Sequence, residues 1–408
     1  MTQPPANRSE RPWFLALLAS LAAIGPLAID LYLPALPAIG HDLGASAAKV
    51  QWSVTAFLAG FSLGMLFYGP ISDRYGRRPV LLTGLAVFFL ASIGCLLARS
   101  AEELIVARFL QAAGGGAASV LSRAIVRDVY PGMEAIRKLS LMAMVTALAP
   151  LLAPLIGSQI LHWSNWRGTF AALLLWGASS LVLARRFLPE TMPPSHRQHV
   201  RLASAFAAYA GILRDAPALG LLLTGGMSFA AMFAYITASP HVLIEHYGFS
   251  STAYALVFSS NATGILLANY LNSRLVHRLG AVPLIGLGAV AGVVATSMLL
   301  ILFVLDLDVR FALFFLFMGV VVTGLLGANC VGLLMHRFPA NAGAAAALFG
   351  ASQFGFGVLA SASVGVLPGA NGLPMAEAML VADLLALLGF FLYRRHGEGE
   401  PRGSSSLR

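Results

Sequence analysis

Gly69-Pro70-Ile71-Ser72-Asp73-Arg74-Tyr75-Gly76-Arg77-Arg78 decides how this chain is read. One apolar run ends on it, a second begins directly after it, and its charges crowd into the short interval between them. Charge buried in lipid is costly, so a compact charged turn between two helix-length runs belongs at a membrane surface. Arg74, Arg77 and Arg78 would hold the turn on one side of a bilayer. Asp73 adds no positive charge, so anchoring does not account for it. Its carboxylate suits a second role, accepting hydrogen bonds from an arginine or from a helix N-terminus.

The same alternation runs along all 408 residues. The chain is 58% hydrophobic and 11% charged, with a mean hydropathy of +0.80, where a soluble domain carries about a quarter charged residues. About twelve spans of roughly 20 residues can be drawn, near 13–39, 50–70, 79–98, 102–124, 137–160, 168–187, 217–240, 252–273, 281–304, 310–335, 342–366 and 374–393. An all-α polytopic membrane protein is expected. Forty-one Gly and 21 Pro would damage soluble helices, but packed transmembrane helices tolerate them.

A net charge of +9 invites a nucleic-acid partner, and its distribution argues against one. With both termini cytoplasmic, all of the 26 Lys and Arg except Lys49, Arg99, Arg108, Arg167 and Arg310 fall in cytoplasmic segments. The basic balance encodes topology. The apolar 13–24 continues without a cleavage region into Asp30, so an uncleaved first span is expected. Cys95 and Cys330 lie inside predicted spans and form no metal or disulfide pattern.

The polar break at 188–201 divides the chain. It implies an N-terminal six-helix bundle over 1–187, a cytoplasmic loop over 188–216, a C-terminal six-helix bundle over 217–395 and a disordered cytoplasmic tail over 396–408. Residues 202–215 fit a helix at the membrane surface. Two such halves suggest repeats about an axis along the membrane normal, with a cavity between them. Arg278-Leu279-Gly280 echoes Arg74-Tyr75-Gly76 at matching places in the two halves, without the rest of the charge cluster.

Asp30 is the first candidate for chemistry, since a carboxylate at bilayer depth costs about 2.5–3.5 kcal/mol and normally faces a cavity or a partner. If the first span exits near Ala38, Asp30 lies about 12 Å below that surface. If the fourth enters near Ala101, Arg108 lies about 10 Å below the same surface. The two are expected at similar depth and able to meet, with Asp30 titrating and Arg108 tuning it. The competing reading is a static ion pair that fixes helix packing. Gln111, one turn from Arg108, would hydrogen-bond cargo or orient the arginine. Asp383, inside the last span, is either a packing residue or a second proton site.

Pro150, Pro154 and Gly157 would kink and thin the fifth helix for close packing and rocking. Asp73, Arg74, Arg77 and Arg78 face Arg123, Arg127 and Asp128 in this topology, and rocking would break and remake a lock between them. Phe57, Phe61, Phe229, Phe233 and Tyr235 are candidates for an adaptable apolar surface, with Asn261, Asn329 and Gln353 as polar handles. Two other patterns carry nothing. Gly286-Leu287-Gly288-Ala289-Val290-Ala291 lacks the strand–turn–helix setting of a dinucleotide site. His241, Glu245 and His246 have the wrong spacing for an inverted zinc motif. No metal site, phosphate-binding loop or catalytic constellation is visible, so an enzyme is not expected.

Gly69 to Arg78 resembles the loop motif of major facilitator transporters. Arg108-Phe109-Leu110-Gln111-Ala112-Ala113-Gly114 resembles the fourth-helix motif of their drug:proton antiporters. Ala149-Pro150-Leu151-Leu152-Ala153-Pro154-Leu155-Ile156-Gly157 is similar to the fifth-helix antiporter motif, with Ala149 where Gly is usual. Asp30-Leu31-Tyr32-Leu33-Pro34-Ala35-Leu36-Pro37 and Val126-Arg127-Asp128-Val129-Tyr130 resemble the bicyclomycin/chloramphenicol-resistance (Bcr/CflA) branch.

The resemblance implies two six-helix bundles around one cavity and proton-coupled export of small amphipathic antibiotics such as phenicols or bicyclomycin. The first and fourth helices would line that cavity. The proton gradient would replace any cofactor, in a monomer in the bacterial inner membrane. Related branches carry a second acid where Ala22 stands, so one carboxylate here favours neutral, zwitterionic or weakly charged drugs. The alternative cargo is a metabolite, such as an amino acid or natural product, whose carboxylate Arg108 would clamp.

Overall fold

The computed structural model describes residues 12–193, 202–367 and 371–397. Among these residues the only regular structure is helical. Residues 194–201 of the central loop and most of the C-terminal tail lie outside the described residues.

The expected first span is a broken one: α1 (Pro12–Ala22), α2 (Ile24–Asp30), a 3-10 turn (Leu33–Ala35) and α3 (Leu36–Asp42). The bend at Ala23 measures 44°. Its cause lies in the sequence, since Pro26 has no N–H to give the Ala22 carbonyl. That freed oxygen accepts instead from the Ser119 hydroxyl at 3.2 Å, as lipid-buried backbone requires. Pro34 and Pro37 then stop the helix from resuming directly, which leaves Asp30 at the C-terminal end of a short helix rather than in mid-helix.

The remaining elements are long. In the first half they are α4 (Ala47–Tyr75), α5 (Arg77–Leu97), α6 (Ala101–Val129), α7 (Gly132–Trp163) and α8 (Trp166–Phe187). A short α9 (Leu202–Leu213) follows the central loop. The second half holds α10 (Ala216–Pro240) with a π-helical turn (His241–His246), α11 (Ser251–Leu279) and α12 (Ala281–Val304). It continues with α13 (Val309–Val321), α14 (Thr323–Arg337), α15 (Ala342–Val366) and α16 (Leu373–Gly397). Among the described residues, ten helices are long and apolar enough to cross a membrane, with α13 and α14 forming one span, or eleven with the bent pair. The 29-residue α11 has the length of a further span. Its Ser259, Ser260, Asn261, Asn269 and Asn272 make it more polar than the others, and much of that polarity faces inward.

The repeat is legible in detail. Serine caps begin α4 and α11, Ser46 accepting from Lys49 and Ser250 from Ala253. Both helices run 29 residues and end on a glycine at positive φ, Gly76 at 101° and Gly280 at 81°. A side chain is strained there, so the weak sequence echo marks one backbone device used twice at the same offset.

Leu90, Val106, Leu175, Val182, Leu359 and Val366 are exposed on the outer surface, as suits lipid-facing helices. The charged turn at 73–78, the α8 end and Arg337 share one end of the molecule, called here the basic end. The halves are joined through Thr55 Oγ1 and Ser361 Oγ (2.7 Å), Ser62 Oγ to the Ala351 carbonyl (2.9 Å) and Ser259 Oγ to the Leu151 carbonyl (2.7 Å). These contacts sit at mid-depth or towards the end opposite the basic one.

Candidate functional site

A cavity of about 600 Å³ lies between the halves. On α2 it meets Pro26, Ile29 and Asp30, and on α7 it meets Ala143 through Pro150. The second half contributes faces of α10, α11, α14 and α15. Asp30 is 5% exposed and gives that edge to the cavity. Among the described residues it forms no ion pair and no side-chain hydrogen bond. A proton or a cationic group entering the cavity can reach it.

Arg108 does not meet Asp30. Its guanidinium is fully buried between the rings of Tyr32 and Phe57, with Cζ 4.2 Å from each centroid and 5.8 Å from Phe170. Nη1 donates to Gln111 Oε1 at 2.5 Å, and Gln111 Nε2 donates to Ser92 Oγ at 2.8 Å. Facing aromatic surfaces attract a cation strongly once water is excluded. They have captured the group that depth alone placed opposite Asp30. Nε and Nη2 remain without acceptors. Gln111 therefore orients the arginine, and neither it nor Phe57 reaches the cavity.

Six of the other expected contacts do line it: Phe61, Phe229, Phe233, Tyr235, Asn261 and Gln353. The aromatic wall centres on Phe354, whose ring stands 4.6 Å from Phe61, 5.5 Å from Phe229 and 5.7 Å from Phe233. Tyr235 and Asn261 lie within reach of one another, with Ser239 beside Tyr235, and both residues form part of the cavity wall. Asn329 is not available. It pairs with Asn272 through Nδ2 to Oδ1 contacts of 2.8 and 3.3 Å and also donates to the Leu325 carbonyl.

At the basic end, Arg77 organises the 69–78 turn. It meets Asp73 at 2.5 Å, Asp128 at 2.9 Å and Ser72 Oγ at 2.6 Å. Glu190 accepts from the backbone N–H groups of Arg77 and Arg78 at 2.9 and 3.3 Å, closing the α5 N-terminus. Arg78 donates to the Arg185 carbonyl. All of these partners belong to the first half and its C-terminal extension. Arg74 lies over the Tyr75 ring at 5.4 Å, and neither Arg74 nor Arg127 forms an ion pair among the described residues.

A model of the major facilitator superfamily matches residues 18–362. The chain belongs to that superfamily. It is 33% identical to the uncharacterized MFS-type transporter YdgK of Bacillus subtilis over 94% of this chain and 95% of that one. It is 28% identical to a bicyclomycin resistance protein homolog of Haemophilus influenzae over 93% and 95%. The multidrug resistance protein MdtL of Klebsiella pneumoniae is 33% identical over 60% of this chain and 62% of its own. Among solved structures, the inward-open xylose transporter XylE of E. coli superposes with a TM-score of 0.72 at 19% identity, covering 96% and 97% of the two chains. It agrees in fold.

Membership of this superfamily makes the chain a transporter rather than an enzyme. No group of three or more metal-ligating side chains occurs among the described residues. The pattern at His241 resolves into a 2.5 Å pair between His241 and Glu245 in the π-helical turn. Gly157 has a definite task, because a side chain there would strike the Leu31 carbonyl, and its absence lets α7 pass the end of α2. Pro154 is buried in α7, whereas Pro150 faces the cavity. Asp383 is 2% exposed on α16 and packs beside Gly292 of α12, away from the cavity, with Oδ2 unpartnered.

Sequence reasoning misses three features. Phe354 directly follows the expected Gln353. Glu190 is an acid in an otherwise basic segment, and that oddity is the signal that could have found it. Arg123 belongs by topology with the basic-end lock, yet it lines the cavity.

Proposed function

We propose that this transporter exports small amphipathic drugs and couples their export to proton entry through Asp30. The basic end would face the cytoplasm of a bacterial inner membrane, with both termini on that side, and the chain would work as a monomer. One observation carries the reading: Asp30 is the only acidic residue among those lining the cavity. A titratable group on the cargo route is what coupling requires, because binding of proton and drug must influence one another. The aromatic wall around Phe354 suits varied apolar bodies, and the Tyr235 and Asn261 side chains in the same wall suit their polar substituents. The names of the Haemophilus influenzae and Klebsiella pneumoniae relatives support drug cargo.

No nucleotide is needed, since one charge crossing the membrane releases about 2.3 kcal/mol per 100 mV. A metabolite whose carboxylate Arg108 clamps is less favoured, because aromatic rings wall that guanidinium away from the cavity.

The test is a susceptibility panel in an efflux-deficient bacterium, comparing wild type with Asp30→Asn at matched membrane levels. It should contain phenicols, bicyclomycin and cationic dyes. Resistance to at least one drug that disappears in the variant is the expected result. Resistance that survives removes Asp30 from the mechanism, and a wild type that protects against nothing removes drug export.

A further inference from the structure

Arg123 is the only basic residue among those lining the cavity. It lies on α6 one turn beyond Ser119, whose hydroxyl bonds the Ala22 carbonyl, so it stands about 6 Å nearer the basic end than that contact. Asp30 lies eight residues past Ala22 in the other direction, beyond the 44° bend. The two backbone positions are therefore roughly 15 Å apart along the cavity, one charge of each sign.

No acid neutralises Arg123 among the described residues. Arg77 takes Asp73 and Asp128, and Glu190 is engaged by backbone N–H groups. The charged neighbour of Arg123 is another cation, Arg127 one turn on. The lining also holds Met65, Ala143, Ala346 and Phe349, which carry no acceptor side chain, and Asn269, a neutral amide that leaves the charge of Arg123 uncompensated. Arg123 is exposed to the cavity, and an unpaired guanidinium there is open to an anion. Its planar fork of donors matches a carboxylate.

We propose that Arg123 is the anion-binding group of the cargo site, and that the site takes elongated amphipathic carboxylates and zwitterions. The carboxylate sits at Arg123, the apolar body lies against Phe61, Phe233 and Phe354, and a cationic end reaches towards Asp30. This rests on the cavity being the cargo route. It assigns the anion-recognition role to Arg123 instead of the sequestered Arg108.

The experiment measures binding rather than transport, using the purified full chain in phosphatidylcholine nanodiscs. The probes are norfloxacin, a zwitterion with its charges at opposite ends of one aromatic body, and its methyl ester, which lacks the carboxylate. Wild type is expected to bind the acid about tenfold more tightly than the ester, or ~1.4 kcal/mol. Arg123→Gln should abolish that preference and leave ester affinity within about twofold, while Arg123→Lys retains part of it. Equal binding of the two probes by wild type overturns the proposal, as does no binding of either. So does a preference that persists in Arg123→Gln, or a loss that affects both probes alike. A failed susceptibility panel with an intact acid preference would remove the export reading and leave the anion site standing.

Discussion

Gly157→Ala and Gly332→Ala each add one methyl group to a membrane-spanning helix, and they should move stability in opposite directions. At Gly157 the new carbon meets the Leu31 carbonyl oxygen, with Leu31 C at 2.9 Å and Cα at 3.5 Å. These are backbone atoms and cannot rotate aside, so either α7 retreats or the end of α2 shifts. Overpacking of this kind costs about 1–3 kcal/mol, and contact with backbone points to the upper part of that range. Alanine's advantage over glycine inside a helix recovers only about 0.5–1 kcal/mol. The net loss is then about 1–2 kcal/mol. Gly332 lies exposed on α14 with nothing within 4 Å of the added carbon. Only the propensity gain of about 0.5–1 kcal/mol applies there. The two variants should therefore differ by about 2–3 kcal/mol, or roughly 3 °C in Tm for a chain of this length, in thermal unfolding of purified protein. Leu31 directly follows Asp30, so Gly157→Ala should also lose any Asp30-dependent resistance. Melting of Gly157→Ala at or above wild type, with Gly332→Ala slightly stabilised, would refute the close approach of α7 to Leu31.

Arg108→Lys should lose about 2 kcal/mol, because an ammonium cannot stack flat between Tyr32 and Phe57 while donating to Gln111. An unchanged Tm would show that the aromatic enclosure contributes nothing. Asp215 caps α10 and pairs with Arg337 through contacts of 2.7 and 2.8 Å, and this guanidinium holds its carboxyl below the usual carboxylate range. A lowered folded-state pKa gives stability that is complete above the unfolded value near ~3.9 and lost as pH falls through the folded one. The Tm advantage of wild type over Asp215→Asn should accordingly hold at neutral pH and shrink below about pH 4. A difference that grows on acidification would contradict this.

The legibility of the sequence depends on whether a feature is local. Most span positions and the turn around Gly76 that ends α4 are short-range properties, and they appear where the sequence places them, the broken first span excepted. Asp30 is also legible, since a carboxylate at that depth needs either polar space or a partner. Its expected pairing with Arg108 fails because helix rise fixes depth but not azimuth. The rings that capture Arg108 come from Tyr32, from Phe57 on α4 and from Phe170 on α8, and no local pattern encodes that convergence. Gln111 is the contrast, for its contact with Arg108 spans three residues on one helix and follows from spacing alone. Arg123 is obscured by the positive-inside pattern, which accounts for an arginine near a helix end whether it faces water, lipid or a cavity. Asn329 reads as a cavity handle only until Asn272, distant in sequence, satisfies it.

The placement of charge bears on how the halves could move. Every ion pair of the 69–78 turn closes within the first half, through Arg77, Asp73 and Asp128. The polar contacts that join the halves include neutral hydroxyl bonds at Thr55, Ser62 and Ser259, beside apolar packing such as Phe61 on Phe354. Side-chain hydrogen bonds between membrane helices average about 0.6 kcal/mol, so these three amount to roughly 2 kcal/mol. One proton descending 100 mV supplies about 2.3 kcal/mol. The polar part of this seam is comparable to the energy of a single proton, whereas separating the Arg77 pairs would add an electrostatic cost of its own. Confining the ion pairs to one half spares the transport cycle that expense, so the turn is better suited to holding its own half rigid than to serving as the lock between halves.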